Sequence, residues 1–255
     1  MILVIDIGNT TMEFGIYEGE ELIGVFRLGS KREITSDEVG LFVTQFFEYK
    51  NLSVKDVSDV VISSVVPQIN YSVCSAVRKY FGREPLVIGE NIFCNMPNLY
   101  ENPHEVGADR IVDSYAAFKK YGGPLIIVDF GTATTCEAVS QNGEYLGGII
   151  YPGIKTSMDA LYEKAAKLPK IEIVKPEFAL GRNTVSSMQS GAYYGYLGAI
   201  EKMVHNLKAV IGTEAKVIAT GGFARLFAGE TALFDKIDQR LPLEGIKMVY
   251  EDSKK

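Results

Sequence analysis

The chain has 255 residues, 47% hydrophobic and 23% charged, a globular composition with room for two cores of roughly 100 to 150 residues each and no indication of disorder. A net charge of −6 and a pI near 5.2 argue against a nucleic-acid partner, which needs a dense cationic face to displace counterions. The first apolar run stops at Asp6, far short of a spanning helix, and lacks the basic flank and cleavage site of a signal peptide, so a cytoplasmic protein with no membrane association is expected.

Taken in chain order, strands are predicted at 1–7, 12–17 and 21–28, followed by a helix over about 35–49 with Leu41, Phe42, Phe46 and Phe47 on one face. Asp59 to Ser63 reads as a buried strand, Gln68 to Phe81 as an amphipathic helix opened by Pro67, and Pro85 to Ile88 as another strand. Residues 89–106 carry Asn and Pro turn chemistry with no clean period, and a helix is predicted from Gly107 to about Lys120. Gly122-Gly123-Pro124 breaks the chain, which places a domain boundary there, 1–122 before it and 123–255 after. The second half reads as strands at 125–129, 134–140 and 144–150, a helix at about 153–167, a long helix from Thr184 to about Val210, a strand at 216–220, and a final edge strand at Lys247 to Tyr250. Strands followed by βαβ units predict mixed sheets covered by helices. Cys74, Cys94 and Cys136 have no partner pattern and read as reduced, mostly buried thiols.

Two strand-ending corners carry the chemistry. Asp6-Ile7-Gly8-Asn9-Thr10 recurs in altered form as Asp129-Phe130-Gly131-Thr132-Ala133-Thr134 after Leu125 to Val128. The segment from Glu13 to Gly24 resembles that from Glu137 to Gly148, which suggests a duplicated domain. Asp before Gly is also an ordinary turn former. With two related corners in one chain, the functional expectation is that the Gly8–Thr11 and Gly131–Thr134 turns face each other and cradle ATP phosphates through amides and hydroxyls, while the carboxylates hold cations. Magnesium fits such a site, because it takes oxygen ligands and keeps water. Rival phosphate motifs fail. Gly148-x₄-Gly153 is followed by Ile154 rather than Lys, and Asp129-Phe130-Gly131 lacks every other protein-kinase element.

Other residues keep two readings at this stage. Gly221-Gly222 is either a helix-start turn or a place where backbone approaches adenosine closely. Asp109 either complements a helix dipole or acts on a ligand, Arg110 is either a surface charge or an anion fork, and Asp113 could pair with it. Thr184 is either a helix N-cap or a ligand-facing hydroxyl. Tyr100 is by default a loop aromatic.

Taken together, Asp6-Ile-Gly-Asn-Thr10, Glu105-Val-Gly-Ala-Asp-Arg110, Asp129-Phe-Gly-Thr-Ala-Thr-Thr135, Tyr151-Pro-Gly153, Ala166-Lys-Leu-Pro169, Gly181-Arg-Asn-Thr184 and Thr220-Gly-Gly222 resemble the type III pantothenate kinases in order and spacing over nearly the whole chain. The resemblance implies an α/β protein of two ribonuclease-H-like (actin-like ATPase, sugar-kinase-like) domains, each a mixed five-stranded sheet flanked by helices. It implies a homodimer and ATP-dependent phosphorylation of pantothenate, the first step of coenzyme A synthesis, with Mg²⁺ and a monovalent cation, K⁺ or NH₄⁺. By position it gives Asp6, Ile7, Gly8, Asn9, Thr10, Thr11, Met12 and Glu13 to a first ATP turn and Thr132 to a second nucleotide contact. Asp129 becomes the cation ligand and Asp109 the proton acceptor, while Tyr100, Gly107, Ala108, Asp109, Arg110 and Thr184 bind pantothenate. Glu137, Ala165 and Thr11-Met12 depart from the commonest pattern of the family. A non-catalytic binding module on the same fold, or an acetate- or sugar-type kinase, are the rival readings.

Overall fold

Strand β1 (Ile2–Ile7) is apolar except for Asp6 near its end because both of its faces are covered, with Leu3, Val4, Ile5 and Ile7 at most 1% exposed. The computed structural model describes all 255 residues, and the chain divides into two compact units. The first comprises Met1–Met96, Asn102–Ala116 and Arg240–Lys255, and the second Pro97–Glu101 and Ala117–Gln239. The units therefore interleave along the chain rather than dividing at 122/123.

In the first unit β1 pairs antiparallel with β2 (Thr11–Glu18), and β2 with β3 (Glu21–Gly29). Helix α1 (Ser36–Tyr49) starts at a capping box in which Thr35 and Glu38 satisfy each other's backbone amides. Its buried face is Val39, Val43 and Phe47 at four-residue spacing, and Leu41, predicted to share that face, is exposed. Strand β4 (Asp59–Ser64) returns parallel to β1. Helix α2 (Pro67–Ala76) opens with proline, where a missing N–H costs nothing, runs on as a π-turn through Phe81, and stops at Gly82 with φ 63°. The short β5 (Leu86–Val87) completes the order β3-β2-β1-β4-β5. Helices α1 and α2 pack on the Leu3, Ile5 and Ile7 face. Helix α3 (Ala108–Tyr121) begins in this unit.

The second unit repeats the plan. Strands β6 (Leu125–Phe130), β7 (Ala133–Val139) and β8 (Tyr145–Pro152) form the antiparallel meander. Helices α4 (Ile154–Lys164) and α5 (Thr184–Ile211) follow, then β9 (Lys216–Gly221) parallel to β6, the short α6 (Ala224–Phe227) and the edge strand β10 (Lys236–Ile237). The order β10-β9-β6-β7-β8 is the first sheet's order read from the other end. One face, carrying Ile126, Val128, Phe130 and Cys136, packs against Ala192, Tyr193, Tyr196 and Ile200 of α5.

The segment predicted as a last edge strand is instead helical, within α7 (Leu241–Ser253), which packs on the first unit's sheet. The four residues Lys247–Tyr250 are too few to show a period. Over the longer window Leu241, Gly245, Ile246 and Val249 recur at helical spacing, with Pro242 in the first turn. Burial of Leu241, Leu243, Ile246 and Val249 at about 1.5–3 kcal/mol each outweighs a strand preference whose whole scale spans about 1 kcal/mol. Gly245 lets α7 close on Val112 and Ala116 of α3, and the Tyr115 hydroxyl donates to Asp252.

Candidate active site

Each unit ends its first strand in a carboxylate at the same place in the sheet. Asp6 lies in register between Glu13 of β2 and Ser63 of β4, and Asp129 between Thr135 of β7 and Thr220 of β9. The offset between copies is 123 residues at the aspartates (6 to 129) and 122 on the following strand (13 to 135). The second turn is therefore one residue shorter. Accordingly the Gly8 amide donates to the Thr11 carbonyl, whereas the Gly131 amide donates to Ala133, at 3.1 Å in both cases. This corrects the sequence alignment of Glu13 with Glu137: the position equivalent to Glu13 in the second copy is Thr135, and the position equivalent to Glu137 in the first is Gly15.

Both turns are stapled from beyond the third strand. The Ser30 amide donates to Thr10 O at 3.0 Å and its hydroxyl to Gly8 O at 2.6 Å. In the second unit the Gly153 amide donates to Thr132 O at 3.1 Å and the Thr156 hydroxyl to the same carbonyl at 2.7 Å. These bonds occupy carbonyls of the turns while Asn9, Thr10 and Thr132 at their tips stay exposed. Glu13 is held by Arg27 across the β2–β3 ladder at 2.9 Å. On the second turn, the Tyr196 hydroxyl of α5 meets Thr134 Oγ1 and donates to the Pro152 carbonyl at 3.2 Å, and burial pushes its phenol up to about 12.

The hydroxyls beside the two aspartates are orphans. Ser63 Oγ and Thr220 Oγ1 are fully buried and have no hydrogen-bond partner within the protein. A buried hydroxyl left unpaired costs about 1–3 kcal/mol, so positions where two copies of one scaffold each keep one suit water or a cation. No three His, Cys, Asp or Glu side chains gather into a metal cage. The donors are oxygens, one strand-end carboxylate per unit with hydroxyls beside it, a set that suits a hard cation whose remaining ligands are water and phosphate. Gly221, with φ 86°, closes the second corner, where a Cβ would overlap Asp129 Oδ1 and stand 2.6 Å from the Phe130 amide nitrogen. Its glycine is thus explained by Asp129, whereas a Cβ on Gly222 meets open space.

The remaining predicted residues separate between the units. In the first, Gly107 and Ala108 lead into α3, Asp109 lies in its first turn and accepts the Arg110 amide at 2.7 Å, and Arg110 is half-buried rather than solvated. Asp113 is buried one turn further on. In the second, Tyr100 lies on the strap Pro97–Glu101, and Thr184 begins α5. The N-cap of α5 is Asn183, in a reciprocal box with Ser186, so the N-cap reading of Thr184 is overturned and its hydroxyl stays exposed. Thr184 borders an open cavity of 670 Å³ whose walls include Leu161, Leu168, Arg182 and Met188. Of the cysteines only Cys136 is buried; Cys74 and Cys94 are intermediate, fewer buried thiols than expected. Ser30, Ser63, Thr156 and Tyr196 escape sequence reasoning, Thr220 enters it only within the motif Thr220-Gly-Gly222, and the register of Ser63 and Thr220 with the two aspartates is what marks that pair.

A duplicated mixed five-stranded sheet flanked by helices, with an aspartate and a glycine turn at the same strand end of each copy, is the two-domain fold of the sugar-kinase and actin-like class. The sequence model of the type III pantothenate kinase family matches residues 2–206, and a type III pantothenate kinase of Moorella thermoacetica is 47% identical over 251 residues, covering 98% of this chain and 99% of that protein. The chain belongs to the type III pantothenate kinase family: it phosphorylates pantothenate with ATP and a divalent metal, in coenzyme A biosynthesis. Two solved structures share the fold. One, a Campylobacter jejuni protein described as a Baf family transcriptional activator, is 19% identical with a TM-score of 0.59 over 99% of both chains. The other, a Sinorhizobium meliloti protein described as a 2-dehydro-3-deoxygalactonokinase, is 10% identical with a TM-score of 0.61 over 99% of this chain and 96% of that one. No helix is long and apolar enough to cross a membrane.

Proposed function

We propose that the residues named from the sequence divide the reaction as follows. The turn from Asp6 to Glu13 and the hydroxyl of Thr132 hold ATP, and Tyr100, Gly107, Ala108, Arg110 and Thr184 hold pantothenate. Asp129 holds a monovalent cation, K⁺ or NH₄⁺, with the Thr220 hydroxyl as its neighbour on the sheet. Bound there, the cation screens phosphate repulsion and steadies the Gly131–Thr134 turn. The duplicated corner, with its orphaned hydroxyl in each copy, is the observation that carries this reading.

Phosphoryl transfer proceeds through a loose transition state, so the protein's task is alignment and charge neutralisation rather than covalent chemistry. Asp109 accepts a hydrogen bond from the primary hydroxyl of pantothenate, orients it toward the γ-phosphorus, and takes its proton late. Arg110 offers a planar fork to a carboxylate or other polar group of the substrate. The product is 4'-phosphopantothenate. Mass analysis of reactions holding ATP, Mg²⁺, K⁺ and purified protein, with pantothenate and with a panel of sugar and carboxylate acceptors, tests it; a product formed only from a rival acceptor overturns it.

The chain is read as a cytoplasmic homodimer. The exposed Phe178 and Leu180, which lead into Gly181 and the Thr184 cavity, support a second copy covering this edge of the second unit. Light scattering of the purified protein tests the dimer, and a monomer at micromolar concentration refutes it.

A further inference from the structure

Glu137 is 1% exposed in the middle of β7, and the mechanism above has no use for it. A carboxylate is costly to bury, so its neighbours matter. The Tyr145 hydroxyl, itself on a fully buried side chain, donates to Glu137 Oε2 at 2.5 Å. Gly148, opposite Glu137 in register, makes room, since a Cβ there would stand 2.7 Å from Oε2.

A β-bulge brings the two together. Between β7 and β8, Ala138 pairs with Gly147 but Val139 pairs with Tyr145, so Leu146 is the extra residue and Gly147 takes φ 122°. In a regular ladder Tyr145 would fall on the opposite face. The slip turns it to the face of Glu137 and Val139.

The first unit supplies the control. It has the same bulge, with Ile16 paired to Gly24 and Tyr17 to Leu22, and in it Gly15 and Leu22 occupy the places of Glu137 and Tyr145. There the contact is apolar, with Leu22 against Gly15. The scaffold therefore folds without a buried acid at this point.

What the second unit has in addition is the strap Pro97–Glu101. It is stitched to Tyr145: the Leu99 amide donates to the Tyr145 carbonyl at 2.9 Å, and the Tyr145 amide to Pro97 O at 2.8 Å. The Tyr100 ring lies 6.3 Å from the Tyr145 ring at 50°, against the bulge at Gly147. The Tyr100 amide is fixed by Asn98 Oδ1 at 3.0 Å.

We infer that Glu137 and Tyr145 are positioning residues that fix the strap and so aim Tyr100 at pantothenate. This rests on the assignment of Tyr100 to that substrate. Removing the Tyr145 hydroxyl loosens the ring on which Tyr100 leans while leaving the ATP turns untouched.

The test is steady-state kinetics of Tyr145→Phe, Tyr100→Ala and the double variant in the full-length enzyme, varying each substrate in turn. Tyr145→Phe should raise the pantothenate KM by roughly 5- to 20-fold, the scale of one charge-assisted hydrogen bond, with kcat and the ATP KM within about twofold. In the Tyr100→Ala background the same change should add almost nothing, because the two act through one ring. Should Tyr145→Phe accumulate unfolded, Glu137→Ala is held to the same outcome, and Glu137→Gln, whose amide oxygen can still accept the hydroxyl, should restore the pantothenate KM. A normal pantothenate KM in Tyr145→Phe, an equal rise in both KM values, or full additivity with Tyr100→Ala overturns the inference. A normal pantothenate KM in Tyr100→Ala alone overturns the assignment of Tyr100 beneath it.

Discussion

Asp6 and Asp129 hold the same position in two copies of one sheet, each at the end of a central strand with a buried, unpartnered hydroxyl beside it, Ser63 for the first and Thr220 for the second. The copies differ on the other side, where Asp6 faces Glu13 and Asp129 faces Thr135. The carboxylate beside Asp6 is paired with Arg27 at 2.9 Å, whereas the neighbour of Asp129 is a hydroxyl.

The Asp129 assignment is checked by a potassium titration at fixed ionic strength and subsaturating ATP. Exchange of potassium for sodium should depress wild-type activity strongly, and Asp129→Ala should be poorly active and nearly blind to the exchange. If the variant keeps a normal potassium response, Asp129 is not the cation ligand.

Gly221→Ala places a methyl group against Asp129 Oδ1 and the Phe130 amide, at a backbone φ of 86° that L residues rarely adopt. The expected cost is about 1–3 kcal/mol of stability, seen as a fall of several degrees in Tm, together with a raised KM for ATP. The mirror change at Gly222, where a Cβ meets open space, should be mild. Equal effects at the two glycines would contradict the packing described.

Asp109→Asn preserves the shape of the first turn of α3 and can still accept the Arg110 amide, but removes the carboxylate proposed as proton acceptor. A fall in kcat of roughly 10²- to 10⁴-fold is expected, with ATP binding by calorimetry unchanged. Near-normal turnover would return Asp109 to a helix-dipole role.

Arg110→Lys replaces a planar fork by a point charge and should chiefly raise the pantothenate KM, with kcat less affected. An unchanged KM in initial-rate measurements would show that the half-buried guanidinium serves only the fold.

Burial pushes the Cys136 thiol up to about 12, so at pH 8 it carries almost no thiolate and is closed to reagents in the folded protein. Iodoacetamide followed by peptide mass analysis should leave Cys136 unmodified until denaturant is added. Cys74 is also raised, first by burial, but it is partly exposed and should react first of the two.

Much of this was legible in the chain because it depends on short-range patterning. The run from Ile2 to Ile7, the Thr35–Glu38 capping box and the two Asp-x-Gly corners are local, and each states its structure within a few residues. One misreading comes from a window too short for the physics: Lys247–Tyr250 has strand composition but belongs to a helix whose period only shows from Leu241. Of the two readings open for Thr184, the structure removes the N-cap, since Asn183 takes that place.

By itself the sequence determined the strand-and-turn units, their repetition and the carboxylate at each corner, because backbone preference and side-chain alternation act between neighbours. The tertiary structure decided what depends on register between distant strands. It aligned Asp6 with Ser63 and Asp129 with Thr220, showed the second turn to be one residue shorter, and returned α7 to the first unit. It also made Glu137 the partner of Tyr145. With a side-chain period of two, a single bulged residue decides which face every later side chain joins, and the chain alone does not show where that residue falls.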